Sequence, residues 1–211
     1  YDQAIKDLHA VGFGVKGGAK PPDNREGFLP TAGLFDEVFT DTPWMIQGLM
    51  TERSVCTIGG EPKTTKTWAL LEMAMAVATG TPAFGEYDPK GEPSGVALFL
   101  AEDSKRSVRN RLRALAASRG MDPREACARI HAKYLQAIDL RDITQLAWLV
   151  VDVRSIPGGV RFVGLDPLRD CHGAEENSST EMKVVTDAMR ALRSVLGCSV
   201  QFVHHMGKHH E

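Results

Sequence analysis

The sequence contains no apolar run that could cross a lipid bilayer. Its longest apolar stretches, such as residues 96–101, fall far short of the roughly 18 consecutive apolar residues that a membrane-spanning helix needs. The N-terminal residues also lack a signal pattern. These absences lead us to expect a soluble, cytoplasmic protein without a membrane partner.

Cysteine is scarce, and the net charge is small. The four cysteines lie far apart and form no C-x-x-C pair, so neither a zinc module nor a disulfide framework is indicated, and we expect reduced thiols. With 25 Lys and Arg against 27 Asp and Glu, the formal net charge is -2. The total charge therefore gives no reason to expect nucleic acid, and a local basic channel is left open.

Composition and the placement of glycine and proline divide the chain into two parts. Hydrophobic residues make up 43% and charged residues 25%, close to globular averages, which predicts a domain with a buried core. Residues 1–43 contain closely spaced glycines and prolines, and we interpret them as an irregular N-terminal flank. Residues 44–211 are then predicted to form the core domain.

Beyond residue 44, short apolar runs alternate with longer helical patterns. Strands buried on both faces are predicted at residues 54–58, 96–101, 160–165 and 199–204, with a weaker candidate at 128–135. Helices are predicted at residues 66–79, 104–118, 141–156 and 179–196. The last helix begins with a capping box at Ser178 and Glu181. This alternation predicts an α/β fold with a mostly parallel sheet flanked by helices.

The first predicted strand runs directly into a polar loop and then a helix. The loop reads GGEPKTTKT at residues 59–67. In a phosphate-binding loop, backbone N–H groups at a helix N-terminus face phosphate oxygens, a lysine adds charge, and a Ser or Thr hydroxyl coordinates magnesium. Gly60, Lys66 and Thr67 occupy the matching positions of G-x-x-x-x-G-K-[ST].

Thr65 departs from this motif, which has glycine at the same position. A β-carbon there could restrict the approach of the backbone to a nucleotide and weaken, reshape or abolish binding. From the loop alone, a polar strand-to-helix turn explains the residues equally well. Trp68, directly after the loop, could stack on an adenine, but its place early in the helix favours packing against the core.

Carboxylates stand at the ends of two further predicted strands. Glu102 and Asp103 follow the second strand, and Asp166 follows the third. The carboxyl ends of parallel strands form the edge at which open α/β sheets bind ligands. An aspartate there can hold magnesium, and a glutamate can orient and deprotonate an attacking water. Taken singly, the carboxylates at either strand end could cap a helix, and we interpret Asp103 as a helix cap.

The fourth predicted strand ends in VHHMGK at residues 203–208. The other strand ends read GEPKTTKTW, AED and LDPLRD, and the loop after the third reads AEENSST. This ordered set resembles the RecA-like P-loop ATPases, especially the RepA-type replicative helicases. The resemblance covers residues 44–208 and implies a RecA-like core. Because the family's fold continues with further strands, we expect this core to be incomplete at its C-terminal end.

The resemblance implies ATP and Mg²⁺ as cofactors. Lys66 would contact the β- and γ-phosphates, while Thr67 and Asp166 would hold the magnesium ion. The nucleotide-binding residues implied in this way are Gly60, Glu61, Pro62, Lys63, Thr64, Thr65, Lys66, Thr67 and Trp68.

The resemblance also implies residues for catalysis and for DNA. Glu102 matches the family's catalytic glutamate. His205, with His204 as second choice, matches a polar sensor of the γ-phosphate. The segment that contains Arg169 and Asn177 resembles the first DNA-facing loop of this fold.

Three arginines, Arg106, Arg109 and Arg113, recur on one face of the helix after Glu102. Phosphates of DNA or of a neighbouring subunit's nucleotide could contact them. A solvated helix face is the commoner role of such residues, and we favour it.

The leading hypothesis is a magnesium-dependent ATPase. We expect it to assemble into a homo-oligomeric ring, a hexamer, and to couple ATP hydrolysis to DNA. Its function would then be that of a helicase, or in replication or a mobile element. The alternative is a nucleotide-binding regulator or scaffold with a degenerate loop, for which Thr65 is the best argument. A third option is a small-molecule or nucleoside kinase that uses the same loop. No lid-like arginine cluster supports that option.

Overall fold

The computed structural model describes residues 1–14, 30–38, 41–134, 136–174 and 178–205. The strands in these residues are β1 (Trp44–Ile46), β2 (Met50–Thr51), β3 (Val55–Gly60), β4 (Gly95–Leu100), β5 (Ile130–Tyr134), β6 (Val160–Asp166) and β7 (Ser199–His205). The first two form an antiparallel hairpin, and the other five form a parallel sheet in the order β3-β7-β6-β4-β5. The α/β fold predicted from the sequence is confirmed, including the weaker strand.

The α-helices of the described residues flank this sheet. They are α1 (Asp2–Ala10), α2 (Lys66–Thr79), α3 (Lys105–Ser118), α4 (Pro123–Ala126), α5 (Ile143–Arg154) and α6 (Ser179–Leu196). None of these helices combines the length and apolar character needed to cross a membrane.

Local sequence explains where the helices begin and end. Ser104, Asp142 and Ser178 cap α3, α5 and α6, because each side chain accepts a hydrogen bond from a backbone N–H of the first turn. Gly80 ends α2 in the left-handed conformation, with φ at 75°. The four helices predicted from the sequence are confirmed to within two residues at each end.

Apolar side chains pack on both faces of the sheet. On one face, Leu8 of α1, Val150 of α5 and Leu192 of α6 belong to one buried cluster. On the other face, Leu70 of α2 and Val108 of α3 belong to a second. This double coverage explains why the central strands read as continuous apolar runs in the sequence.

The N-terminal residues differ from the irregular flank expected for residues 1–43. Residues Asp2–Ala10 form α1, which buries Ala4 and Leu8 against the core beside α5 and α6. The four-residue spacing of these apolar side chains places both on one helix face, and that face covers apolar surface of the domain. A 3-10 helix follows at Thr31–Asp36 and buries none of its residues. The domain boundary at residue 43 stays a prediction.

Gly164 in β6 lets α2 approach the sheet closely. A β-carbon at this position would lie 2.7 Å from Leu98 Cδ2 and 2.9 Å from Leu70 Cδ1. In a close-packed interior such contacts force these two leucine side chains to move, so a larger residue would disturb the packing of α2 on the sheet. Because α2 begins at the loop after β3, the same contact helps to position that loop.

All four cysteines are free thiols. Burial raises the pKa of Cys171 and of Cys198 to about 12. Both thiols therefore stay protonated at neutral pH and serve as small apolar packing groups.

A buried ion pair ties α2 to the end of α3. Arg119 Nη2 donates to Glu72 Oε1 at 2.5 Å, and Nη1 donates to Glu72 Oε2 at 3.1 Å. The two side chains are only 9% and 10% exposed. Glu72 also accepts from Phe84 N at 2.8 Å, while Arg119 Nε donates to Thr81 Oγ1 at 2.9 Å. The network thus joins both helices to the loop that follows α2.

We expect Arg119→Ala to lower the free energy of unfolding by about 3–5 kcal/mol, because it leaves the buried Glu72 carboxylate without its counter-charge. Urea denaturation monitored by circular dichroism measures this loss. The control is Arg154→Ala, which breaks the more exposed pair with Asp7 and should lower the free energy of unfolding much less. Equal losses in the two variants would contradict a structural role for the buried pair.

Candidate functional site

The loop between β3 and α2 borders a cavity at the carboxyl edge of the sheet. The cavity has a volume of about 250 Å³ and is lined by Lys63, Thr64, Thr65, Lys66, Thr67, Trp68 and Arg111. All of these except Arg111 belong to the nucleotide-binding set predicted from the sequence. The remaining loop members of that set, Gly60, Glu61 and Pro62, lie just before the lining residues.

Lys66 places a buried ammonium group in this loop. The residue is 6% exposed, and Nζ donates to Gly60 O at 3.0 Å, to Glu61 O at 2.5 Å and to Thr64 Oγ1 at 3.4 Å. These acceptors are neutral, and among the described residues no carboxylate forms a salt bridge with Lys66. Because a buried charge without a counter-charge is unfavourable and the N-terminus of α2 adds partial positive charge, the site attracts an anion.

Thr65 adopts the left-handed conformation, with φ at 64° and ψ at 14°. This conformation is strained for a β-branched residue, because its β-carbon crowds the neighbouring carbonyl oxygen. Lys63 in the same loop also has a positive φ, of 67°. The backbone therefore follows the path that glycine would allow without strain. Threonine in place of the motif's glycine therefore raises the energy of the turn, but the turn still forms.

Arg111 of α3 is a cavity residue that the sequence analysis missed. Its Nη1 donates to Asp103 Oδ2 at 2.6 Å, and both side chains are largely buried. The sequence feature that could have pointed to Arg111 is its position about two helical turns after Asp103, an acidic residue at a strand end. The arginines singled out from the sequence, Arg106, Arg109 and Arg113, are absent from the lining of this cavity.

The two carboxylates that follow β4 have different partners. Asp103, expected to be a helix cap, binds Arg111 instead, and Ser104 caps α3. Glu102 Oε1 accepts a hydrogen bond from Arg169 Nη2 at 2.5 Å. Glu102 is absent from the residues that line the cavity. The predicted catalytic glutamate therefore faces the residues after β6 in this arrangement.

The register of the sheet brings the ends of β6 and β7 to the same edge as the loop. His204 and His205 of β7 pair with Gly59 and Gly60 of β3. Asp166 is buried at the end of β6, the neighbour of β7 on its other side. His204 is half-buried, and its Nδ1 has no hydrogen-bond partner within the described part of the chain. The proposed sensor positions thus lie on the strand between the loop and Asp166.

Two oxygen donors predicted to bind magnesium lie at this edge. Thr67, in the first turn of α2, lines the cavity, and Asp166 ends β6. Hydroxyl and carboxylate oxygens are ligands that Mg²⁺ prefers, with waters and phosphate oxygens at its other positions. These residue types fit the ion.

The expected DNA-facing loop was assigned two residues, Arg169 and Asn177. Asn177 lies outside the described residues, so only Arg169 can be placed.

A family model described as an AAA domain matches residues 22–211. The match spans the loop after β3 and the ends of β4, β6 and β7. The chain belongs to the AAA domain family. Membership places this AAA domain among the P-loop ATPases and supports nucleotide binding and ATPase activity in general. The buried lysine and the cavity beside it are thus the nucleotide-site candidates of the AAA domain.

We expect Thr65→Gly to raise the free energy of unfolding of the AAA domain by about 1 kcal/mol, because glycine adopts the left-handed conformation without steric strain. Urea or thermal denaturation measures the change. Thr64→Gly is the matched control, since Thr64 is not among the residues with positive φ and should lose stability on substitution. If Thr65→Gly is no more stable than the unsubstituted chain, the turn at Thr65 carries no strain.

Proposed function

We propose that this AAA domain binds ATP with magnesium and hydrolyses it within a homo-oligomeric ring of the RepA type, expected to be a hexamer. The observation that carries the proposal is the buried ammonium of Lys66, held by neutral oxygens at the N-terminus of a 14-residue helix. Membership of the AAA domain family supports the ATPase class. The ring, the magnesium dependence and the coupling to DNA belong to the proposal.

In the proposed complex, Lys66 exchanges its carbonyl partners for phosphate oxygens. Charge-assisted hydrogen bonds then replace bonds to neutral acceptors, which favours binding. The N–H groups at the start of α2 supply further donors for the phosphates. Arg111 adds a guanidinium group whose orientation Asp103 maintains. Trp68 is partly exposed beside the cavity and is available to stack on the base.

The residues at the strand ends carry the proposed hydrolysis. Glu102 orients the attacking water and accepts its proton. Thr67 and Asp166 hold the magnesium ion, which neutralises charge on the phosphates. His205, with His204 as second choice, senses the γ-phosphate from the strand beside the loop. Phosphoryl transfer depends mainly on positioning and electrostatic stabilisation, so small displacements of these groups should alter the rate strongly.

We also propose that the residues after β6 couple the site to DNA. Arg169 lies in the turn that follows this strand and has a half-exposed guanidinium group. Asp139 and Asp170 line the same cleft, so the described surface there is not uniformly basic. Contacts with few phosphates predict weak binding with a shallow dependence on salt concentration.

The second candidate is a nucleotide-binding regulator or scaffold with little turnover. It is favoured by the strained loop at Thr65 and by the engagement of Glu102 with Arg169. Hydrolysis measured with magnesium, with and without single-stranded DNA, separates the two functions. Tight ATP binding without turnover in either condition would favour the regulator.

We expect Lys66→Ala to weaken ATP binding by about 10- to 100-fold, since hydrogen bonds to charged groups contribute about 1.5–3 kcal/mol each. Calorimetric titration with Mg-ATP measures the affinity. Lys6→Ala removes an exposed lysine of α1 and should leave the affinity unchanged. Unaltered binding by a folded Lys66→Ala protein would reject the loop as the phosphate site.

We expect Glu102→Gln to preserve ATP binding and to lower kcat by about 100- to 10,000-fold, because an amide cannot accept the proton of the attacking water. Phosphate release under saturating Mg-ATP measures turnover, and the same titration measures binding. Glu125→Gln, on the exposed face of α4, is the control. Turnover at the unsubstituted rate would remove Glu102 from the proposed role.

A further inference from the structure

The ion pair between Arg169 and Glu102 connects the ends of β6 and β4. The distance from Arg169 Nη2 to Glu102 Oε1 is 2.5 Å, and Arg169 Nε lies 3.9 Å from Asp170 Oδ1. The side chains of Arg169 and Glu102 are 57% and 46% exposed. Both partners are therefore open to solvent and to other ions.

Backbone hydrogen bonds fix the main chain on both sides of this pair. Ala101 N donates to Asp166 O at 2.8 Å, which joins the ends of the two strands. The turn that carries Arg169 is held by a hydrogen bond from Ile138 N to Asp170 O at 3.2 Å and by one from Leu140 N to Cys171 O at 2.9 Å. Rotation of either side chain can therefore open the ion pair while these backbone hydrogen bonds stay in place.

Glu102, paired with Arg169, does not line the cavity at the loop after β3. The adjacent Asp103 is linked to that cavity through Arg111, which lines it. Arg169 instead lines a separate cleft with Asp139, Asp170 and His172. The carboxylate proposed to activate water is thus bound to a residue outside the nucleotide cavity.

We infer that Arg169 is a positioning residue that restrains Glu102 in a resting arrangement, and that Glu102 becomes available to the attacking water when this ion pair opens. The inference rests on the proposed ATPase function. The charged hydrogen bond engages the Glu102 carboxylate and limits the rotation of its side chain. Arg169 therefore lowers basal turnover.

The exposure of the pair sets the size of the effect. Ion pairs between exposed side chains contribute little, so the restraint should slow turnover by about two- to fivefold and no more. Salt screens exposed charges, with a Debye length of about 10 Å at 0.1 M and about 3 Å at 1 M. Turnover at saturating nucleotide should therefore rise with ionic strength as long as the pair is present.

The test measures phosphate release at saturating Mg-ATP over a range of NaCl concentrations. At low salt we expect Arg169→Ala to turn over about two- to fivefold faster than the unsubstituted chain, and added salt should remove this difference. Arg169→Lys keeps the charge and should restore most of the restraint. Arg124→Ala removes an exposed arginine of α4 and should match the unsubstituted chain at every salt concentration.

Two results would overturn the inference. Slower turnover in Arg169→Ala, rescued by Arg169→Lys, would mean that Arg169 orients Glu102 productively. Identical turnover and identical salt response in the unsubstituted chain and Arg169→Ala would mean that the pair has no effect on the reaction. In both cases the proposed ATPase function would stand, because hydrolysis itself would have been observed.

A double variant and a binding titration separate this inference from the function on which it rests. The double variant Arg169→Ala/Glu102→Gln should turn over no faster than Glu102→Gln alone, since the restraint acts through Glu102. ATP affinity should be equal in the unsubstituted chain and in Arg169→Ala. Absence of ATP binding by the unsubstituted chain would reject the proposed function, and the inference would fall with it.

Discussion

The parallel alignment of the sheet brings the candidate site together, because all five strands end at one edge. β3 leads into the loop that holds Lys66, and β7 ends beside that loop in register with it. β6 and β4 then bring Asp166 and Glu102 to the same edge. Backbone hydrogen bonds between neighbouring strands fix these ends relative to one another. The close contact of α2 with Gly164 adds a second constraint, because it positions the helix that begins at the loop.

Charge is distributed unevenly along this edge. Near the loop, positive groups predominate: Lys66 is buried among neutral oxygens, and Arg111 is oriented by Asp103. Glu102 is held farther along the edge by Arg169. The positive groups at the loop are thus separated from the Glu102 carboxylate.

Strain and exposure coincide at the proposed site, while the supporting structure is closely packed. Thr65 occupies a left-handed conformation, and the pair between Glu102 and Arg169 is half-exposed. By contrast, the pair between Glu72 and Arg119 is buried and joins the two helices beside the site. A rigid support with local strain is a common arrangement where a site must change its contacts during function.

The sequence by itself determined the α/β alternation, the positions of the main helices and strands, and the loop with its lysine, because apolar periodicity and the capping residues are local properties. It did not reveal that residues 2–10 pack on the core, because a nine-residue amphipathic helix does not indicate by itself which apolar surface it covers. Only the tertiary structure decided the strand order, the entry of Arg111 into the cavity, and the separate partners of Glu102 and Asp103. These features depend on contacts between residues distant in the chain and on side-chain direction, and neither leaves a periodic pattern in the sequence.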